Sequence, residues 1–597
     1  RLGSRFAHNP PVHTPTFFVR RGLAPRRDGE SVRRPAAGFA IDLALACVLF
    51  ALIAGVITLA QRWKAPMREA VVIDLSPRAL PGYTLLSLSR GFAAYLLSLL
   101  FTLIYGTIAA HSRRAEKVMI PLLDIAQGIP VLGFLPGLVL GMVALFPRSN
   151  VGLELACILM IFTGQVWNMV FSFYGSLRSV PQELREVARI HRFGWWKTFK
   201  TVEVSGSVIG LVWNSMISMA GGWFFLTVNE AFTLGDRDFR LPGVGSYMAV
   251  AIEKGDRRAM TWAIVAMTLM ILAVDQLLWK PLVAWSQRFR LEDISGSEPP
   301  RSWVLDLLRR SWIARRLRQV KRESPPAAPV GPAHAQLPPP AVRSDGAWFR
   351  TALLAIVGIA AAAGAVAGAW HLVLLLVRVS AREWGLLAAA LGATFLRTAG
   401  ALAVGALWCV PAGILIGRSA VWSRRLQPVV QLVASFPAPM VFPLVTAALL
   451  AVKVPFSVIA AALMLLGAQW YILFNVLAGA SSIPHDLEEA SDTYAVRGRE
   501  RWRKLFLPSV FPYLVTGLIT AAGGAWNASI VAETLTYRGK TLETFGLGTL
   551  ITRSTQHANF PLLAAGVLTM SAALVLINRT VWRPLYRLAE SRYALNR

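Results

Sequence analysis

The sequence predicts an all-α polytopic membrane protein with about twelve transmembrane helices, arranged as two parallel six-helix repeats. Three observations predict it. Charged residues make up only 16% of the 597, where a soluble chain carries roughly 25%. Segment after segment reaches the roughly 20 apolar residues that a spanning helix needs. The second half then repeats the first in register.

The predicted spans of the first half are 38–60, 90–110, 118–146, 151–175, 206–229 and 259–279. Those of the second are 349–378, 394–416, 427–451, 455–478, 512–533 and 559–582. The first apolar run, AAGFAIDLALACVLFALIAGVITLA (36–60), is too long for a signal-peptide core and lacks a cleavage site, so it reads as a retained span. The chain divides into a basic tail (1–37), a first membrane domain (38–290), a joint (291–348) and a second membrane domain (349–597).

Orientation follows from charge. An even number of spans puts both termini on one side. The tail (Arg20, Arg21, Arg26, Arg27), the loops at 111–117 and 417–427 and the long loops after 176 and 479 are all basic and all fall on that side. The positive-inside rule makes it cytoplasmic. The net charge of +29 is therefore mostly a topology signal, with contact to anionic membrane lipid. No basic-aromatic module accompanies it, which argues against nucleic acid. In the joint, RSWVLDLLRRSWIARRLRQV (301–320) sets apolar residues opposite arginines. It reads either as a helix lying in the membrane interface or as one packed on the protein's own surface. ESPPAAPVGPAHAQLPPPAVRSDG (323–346) reads as an extended linker. Cys47, Cys157 and Cys409 sit far apart in apolar runs, as small hydrophobes without metal-ligand spacing.

The repeat holds register through Gly, Pro, Trp and Glu. Arg90 pairs with Arg397, Gly106 with Gly413, Pro130 with Pro437 and Pro136 with Pro443, always at an offset of 307. After a short slip the offset is 303: Trp167 pairs with Trp470, Pro181 with Pro484, Glu186 with Glu489, Glu230 with Glu533 and Gly245 with Gly548. Six spans separate corresponding elements, so the halves run parallel. The prolines should break the third span of each half, freeing carbonyls to line a route.

Each half carries one cytoplasmic loop of shared design: SLRSVPQELREVARIHRFGWWKTFKTVEVS (176–205) and ASSIPHDLEEASDTYAVRGRERWRKLFLPS (480–509). A proline opens a helix, an acid follows five residues on, then small residues and a basic aromatic run. The second loop resembles the EAA loop of ABC-importer permeases: Glu489-Ala490-Ser491, then Ala495, then Leu507-Pro508. The first carries Glu186-Val187-Ala188, then Arg192. The resemblance covers roughly 85–290 and 390–595 and implies two permease domains of the type I fold fused in one chain. SxRxxP at Ser176–Pro181 and WRPLY at 582–586 resemble the nitrate/sulfonate/taurine-type group, whose cargo is small oxyanions, sulfonates or bicarbonate-like ions.

In that family the loop forms two short helices that dock on a cytoplasmic ATPase. The resemblance thus implies coupling roles for Glu186, Ala188, Arg192, Gly194 and Trp196, and for Glu489, Ala490, Ala495, Gly498 and Trp502. Tyr494, Trp502 and Phe506 are candidate apolar anchors. Ala495 and Arg192 replace the family's turn glycine, so the turn is expected to shift towards Gly498 and Gly194. The implied partners are two copies of an ABC ATPase, which would carry ATP and Mg, and an external solute-binding protein. The implied location is the bacterial inner membrane.

Polar residues at membrane depth are pathway candidates by default. They are Gln165, Trp167, Asn168, Asn214 and Glu230, and Gln469, Trp470, Asn475, Asn527 and Glu533. Each could instead be a helix–helix hydrogen bond. The sequence has no phosphate-gripping loop: TLTYRGKT (534–541) is the near miss, with Thr534 where the first Gly belongs. No cofactor, catalytic residue or metal site is expected in this chain, since its eight histidines are scattered. The rival class is an ion- or proton-coupled 6+6 secondary transporter, which needs a paired ionisable relay in the core.

Overall fold

The computed structural model describes residues 71–289, 302–310 and 363–593, except positions 128, 235, 236, 365, 538 and 539. Two compact units are distinguished, 1–49 with 307–328 and 50–306 with 329–597. The described part of the first is the end of a short helix, Trp303–Arg310. Everything below concerns the second. The predicted span 38–60, the basic tail and most of 301–348 lie outside the described residues. Where the basic helix begins, Val304 is buried and Trp303 Nε1 donates to Gln276 Oε1 at 3.4 Å.

The first half runs α1 (Leu80–His111), α2 (Arg113–Gln127), α3 (Val131–Leu145), α4 (Val151–Ser179), α5 (Gln182–Ile190), α6 (Trp195–Asn229), a hairpin of β1 (Ala231–Leu234) and β2 (Arg237–Arg240), α7 (Val244–Lys254) and α8 (Arg257–Phe289). The second runs α9 (Ala381–Arg418), α10 (Ala420–Ser435), α11 (Ala438–Ala451), α12 (Phe456–Ser481), α13 (His485–Thr493), α14 (Gly498–Ala532), β3 (Thr534–Tyr537), β4 (Lys540–Glu543), α15 (Leu547–Gln556) and α16 (Phe560–Tyr593). Every element of one half has its counterpart in the other.

Eight of these helices are long and apolar enough to cross a membrane: α1, α4, α6, α8, α9, α12, α14 and α16. They face lipid in stripes. On α1, Leu96, Leu100, Ile104 and Ile108 recur every fourth residue and all are exposed, a pattern that an apolar solvent permits and water does not.

The third spans are not continuous. In the second half Val429–Ser435 and Ala438–Ala451 meet at 90°. The first half divides at the same place, between Gln127 and Val131. Pro130 and Pro437 stand at the two N-caps, where a missing N–H costs nothing. Pro136 and Pro443 lie inside α3 and α11, so the first proline of each pair makes the break. Of the predicted span 349–378, the apolar helix Val366–Leu376 is described.

The hairpins are an addition to the all-α expectation. Both are antiparallel, registering Ala231 with Arg240 and Thr534 with Glu543. Repetition extends to irregularities. Single π turns interrupt α6 at Phe199–Glu203, α14 at Trp502–Phe506, α8 at Asp275–Trp279 and α16 at Asn578–Trp582. The halves share an apolar core in which Gly133 of α3 lies so close to Val567 of α16 that a Cβ there would meet its Cγ2 at 2.8 Å.

Candidate functional site: two prongs and two buried clamps

At one end of the membrane helices each half projects a prong, α5 or α13, joined by a tight turn to α6 or α14. The turn answers the question left by the missing glycine. Arg192 and Ala495 adopt φ of 50° and 52°, left-handed values that cost a non-glycine residue roughly 1–2 kcal/mol. The hydrogen bonds explain why they accept it. Phe193 N donates to Ala188 O and Arg192 N to Arg189 O, both at 2.9 Å. Val496 N donates to Ser491 O at 2.9 Å and Ala495 N to Asp492 O at 3.1 Å. Both turns are Schellman caps, which satisfy the last carbonyls of a helix through one left-handed residue. The expected shift to Gly194 or Gly498 does not occur: Gly194 is extended, and Gly498, with φ 55°, adds a second positive φ beyond Ala495.

Ala188 and Ser491 are the one buried residue of α5 and of α13. Glu186 and Glu489 point outward and carry no ion pair among the described residues. Ala490 is exposed. The expected anchors divide. Tyr494 is 81% exposed, but Phe506 is buried and Trp502 half-buried in their own half. Phe506 therefore offers a partner nothing. Trp196, at 63% exposure, is free. Each prong is tied to the membrane helices. Arg185 donates to Leu177 O at 2.6 Å. Arg418, at the end of α9, pairs with Glu488 at 3.0 Å and lies 4.2 Å over the Phe506 ring. The equivalent position on α1, His111, meets Glu203 at 2.9 Å.

At the far ends of α6 and α14 sit Glu230 and Glu533, both fully buried. Arg90 bonds Glu230 Oε1 at 2.7 Å, and Arg397 bonds Glu533 Oε1 at 2.7 Å. The other carboxylate oxygens accept Gly245 N at 2.7 Å and Gly548 N at 2.8 Å, at the start of α7 and α15. Ser87 and Thr394 donate to the same acids and accept Val244 N and Leu547 N. A Cβ on Gly243 or Gly546 would overlap the carboxylate. These acids are clamps that pin α7 and α15 through helix N-termini, where negative charge is favoured. Their carboxylate oxygens are committed within the protein and closed to solvent in this arrangement.

The remaining pathway candidates mostly hold one half together. Gln165 is buried between Ser98 and Met219. Asn214 donates to Ser172 Oγ at 2.8 Å, and Asn475 to Tyr471 O at 2.8 Å. Trp167 Nε1 is buried without a partner. Asn168 and Gln469 form no side-chain hydrogen bond among the described residues, and Trp470 packs in the core of its half. Asn527 differs. Its Oδ1 accepts Val131 N at 2.9 Å, so it caps the broken helix α3 of the other half.

Beside Asn527, between the halves, lies a cavity of about 250 Å³. Leu132 and Leu135 of α3, Phe232, Ile530 and Ile551 supply its apolar wall, and Thr534, Thr552, Thr555 and Gln556 its polar one. Among the described residues no charged side chain lines it. Thr534, Thr552 and Thr555 already donate their hydroxyl protons within the protein. The sequence gives little warning of these residues, since threonines next to an acid at a span's end resemble ordinary loop.

The fold and the paired prongs define a two-domain membrane permease. The chain belongs to the binding-protein-dependent transport system inner membrane component family, whose pattern matches residues 102–278 and 409–591. It is 28% identical over 146 residues to a nitrate import permease of Leptolyngbya laminosa, covering 24% of this chain and 51% of that protein. A bicarbonate transport system permease of Synechocystis sp. is 28% identical over 137 residues, 23% of this chain and 48% of that protein. A putative aliphatic sulfonates transport permease of Bacillus subtilis is 24% identical over 219 residues, 35% of this chain and 76% of that protein. The chain thus spans about half the length of the first two relatives.

Proposed function

We propose that this chain is the transmembrane permease subunit of an ATP-driven importer, embedded in a bacterial inner membrane with both termini in the cytoplasm. Two cytoplasmic ABC-type ATPase subunits, one per prong, supply ATP and Mg chemistry. The carrying observation is the pair of prongs: two helices of one backbone geometry, each with an exposed Glu at the same position and each fixed to a membrane helix. A helix capped and tied in this way transmits force, where a loose loop would absorb it.

The solute passes between the halves, past Asn527 and the cavity beside it. Its class is the small oxyanion or sulfonate that the relatives' names describe. An external binding protein delivers the solute and selects its charge, since the described wall of the cavity is apolar and hydroxylic. The test is uptake into vesicles holding the full chain and its ATPase, with nitrate, bicarbonate and an alkanesulfonate offered in turn. Glu186→Gln with Glu489→Gln should abolish ATP-dependent uptake while membrane insertion is unchanged. Normal uptake by that double variant would refute the coupling role.

A further inference from the structure

The two prongs share a backbone and differ in surface. On the first, Leu184, Val187 and Ile190 form one exposed stripe along α5, continued by Trp195 and Trp196 at 62% and 63% exposure. The repeat places Leu487, Ala490, Thr493, Gly498 and Arg499 at those five positions. One apolar residue larger than alanine survives. The change runs the other way in charge. Arg185 and Arg189 of α5 become Glu488 and Asp492 of α13. The helix α13 therefore carries four acids and no Lys or Arg, while α5 balances Glu183 and Glu186 against its two arginines.

Two of the four acids of α13 are paired within the chain and two are not. Arg418 meets Glu488 at 3.0 Å, and Arg501 meets Asp492 at 2.6 Å, yet the Asp492 side chain stays 62% exposed. Asp486 and Glu489 have no ion pair among the described residues. Four acids on a helix of nine residues repel one another unless cations face them. The stripe on α5 asks for the opposite. Exposed Trp and aliphatic side chains bind by filling an apolar recess, and a recess lined with cations would have to strip them of water for no return.

We propose that the two prongs are received by chemically different grooves, so that the motor consists of two unlike ATPase chains: an apolar groove takes α5 and a basic groove takes α13. This rests on the coupling reading above. It makes the permease a polarised adaptor, and the fusion of the two domains fixes one of each motor chain per complex.

The test isolates the ATP-hydrolysing complex through a tag on the full chain and follows its composition by native mass spectrometry at stepped salt. Between about 0.1 M and 1 M salt the screening length falls from roughly 10 Å to about 3 Å. The expected result is two different ATPase chains, one of each, of which one is released at least tenfold more readily as salt rises. Asp486→Lys with Glu489→Lys should release that same chain at low salt. Ile190→Ser with Trp196→Ser should release the other and leave its salt response unchanged. Two copies of a single ATPase chain, lost together under salt and under either pair of substitutions, would overturn the proposal while leaving the coupling reading intact. Absence of any ATPase from the complex would overturn both.

Discussion

The clamps at the far ends of α6 and α14 are the same device built with different charge balances. Arg90 is completely buried and lies between two acids, with Glu154 at 2.6 Å and Glu230 at 2.7 Å. In the second half Ser457 occupies the place of Glu154, and Arg397 keeps one acid, Glu533. Arg397 reaches Phe545 O at 2.6 Å, as Arg90 reaches Pro242 O at 2.9 Å, but adds Thr544 Oγ1 at 3.0 Å, and its side chain is 11% exposed. One repeat spends a second carboxylate to seal the guanidinium, and the other leaves it at the edge, bound to the loop that precedes α15. The difference teaches that the conserved part of the device is the link from arginine through acid to helix N-terminus. The second acid is an accessory of the first half alone.

The largest effect should come from removing the sealed cation. Arg90→Met leaves two carboxylates buried without a cation and should destabilise the protein by about 3–5 kcal/mol, read as a lower thermal aggregation midpoint of the purified full chain. Arg397→Met strands one carboxylate near an edge that water reaches and should cost clearly less. Equal losses would break the comparison. Next comes Glu154→Ser, which gives the first clamp the composition of the second. The lost charged hydrogen bonds should cost about 1.5–3 kcal/mol, while Ser457→Glu should be tolerated only if Arg397 can turn inwards from its loop. A loss for Glu154→Ser as large as for Arg90→Met would show that Glu154 carries the clamp and Glu230 does not.

The smallest effect tests the other end of the molecule, where the halves agree. Ala495→Gly relieves a left-handed residue and should raise stability by about 1 kcal/mol or less, since glycine's greater freedom in the unfolded chain offsets part of the gain. Arg192→Gly should act the same way, measured by the same melting experiment. A loss at either position would mean that the side chain itself, and not the turn, is what that site needs.

Much of this was legible in the sequence. Hydropathy marks membrane helices because lipid imposes one rule on every span, and the offsets of 307 and 303 matched Arg90 with Arg397 and Glu230 with Glu533. The clamp itself was not legible. An offset says which residues are equivalent and not which ones touch, and Arg90 finds Glu230 across 140 positions of chain. An acid at the end of an apolar run reads as a pathway residue until its partner is seen. The turn at Arg192 and Ala495 misled for a different reason. Residue propensity favoured a nearby glycine, whereas the hydrogen bonds of the helix end chose the position and left the side chains to comply.

On the coupling proposed above, the π turns have a geometric consequence for how a motor's stroke is aimed. One additional residue in a helix rotates everything beyond it by about 100°. The five-residue turns at Phe199–Glu203 and Trp502–Phe506 stand between each docking tip and the intramembrane stretch of the same rod. Azimuth at the tip is thereby decoupled from azimuth in the bilayer. Deleting a single residue there would swing the tip about a quarter of a circle while the buried stretch stayed in phase, giving a protein that is assembled and folded but presents its prong on the wrong bearing.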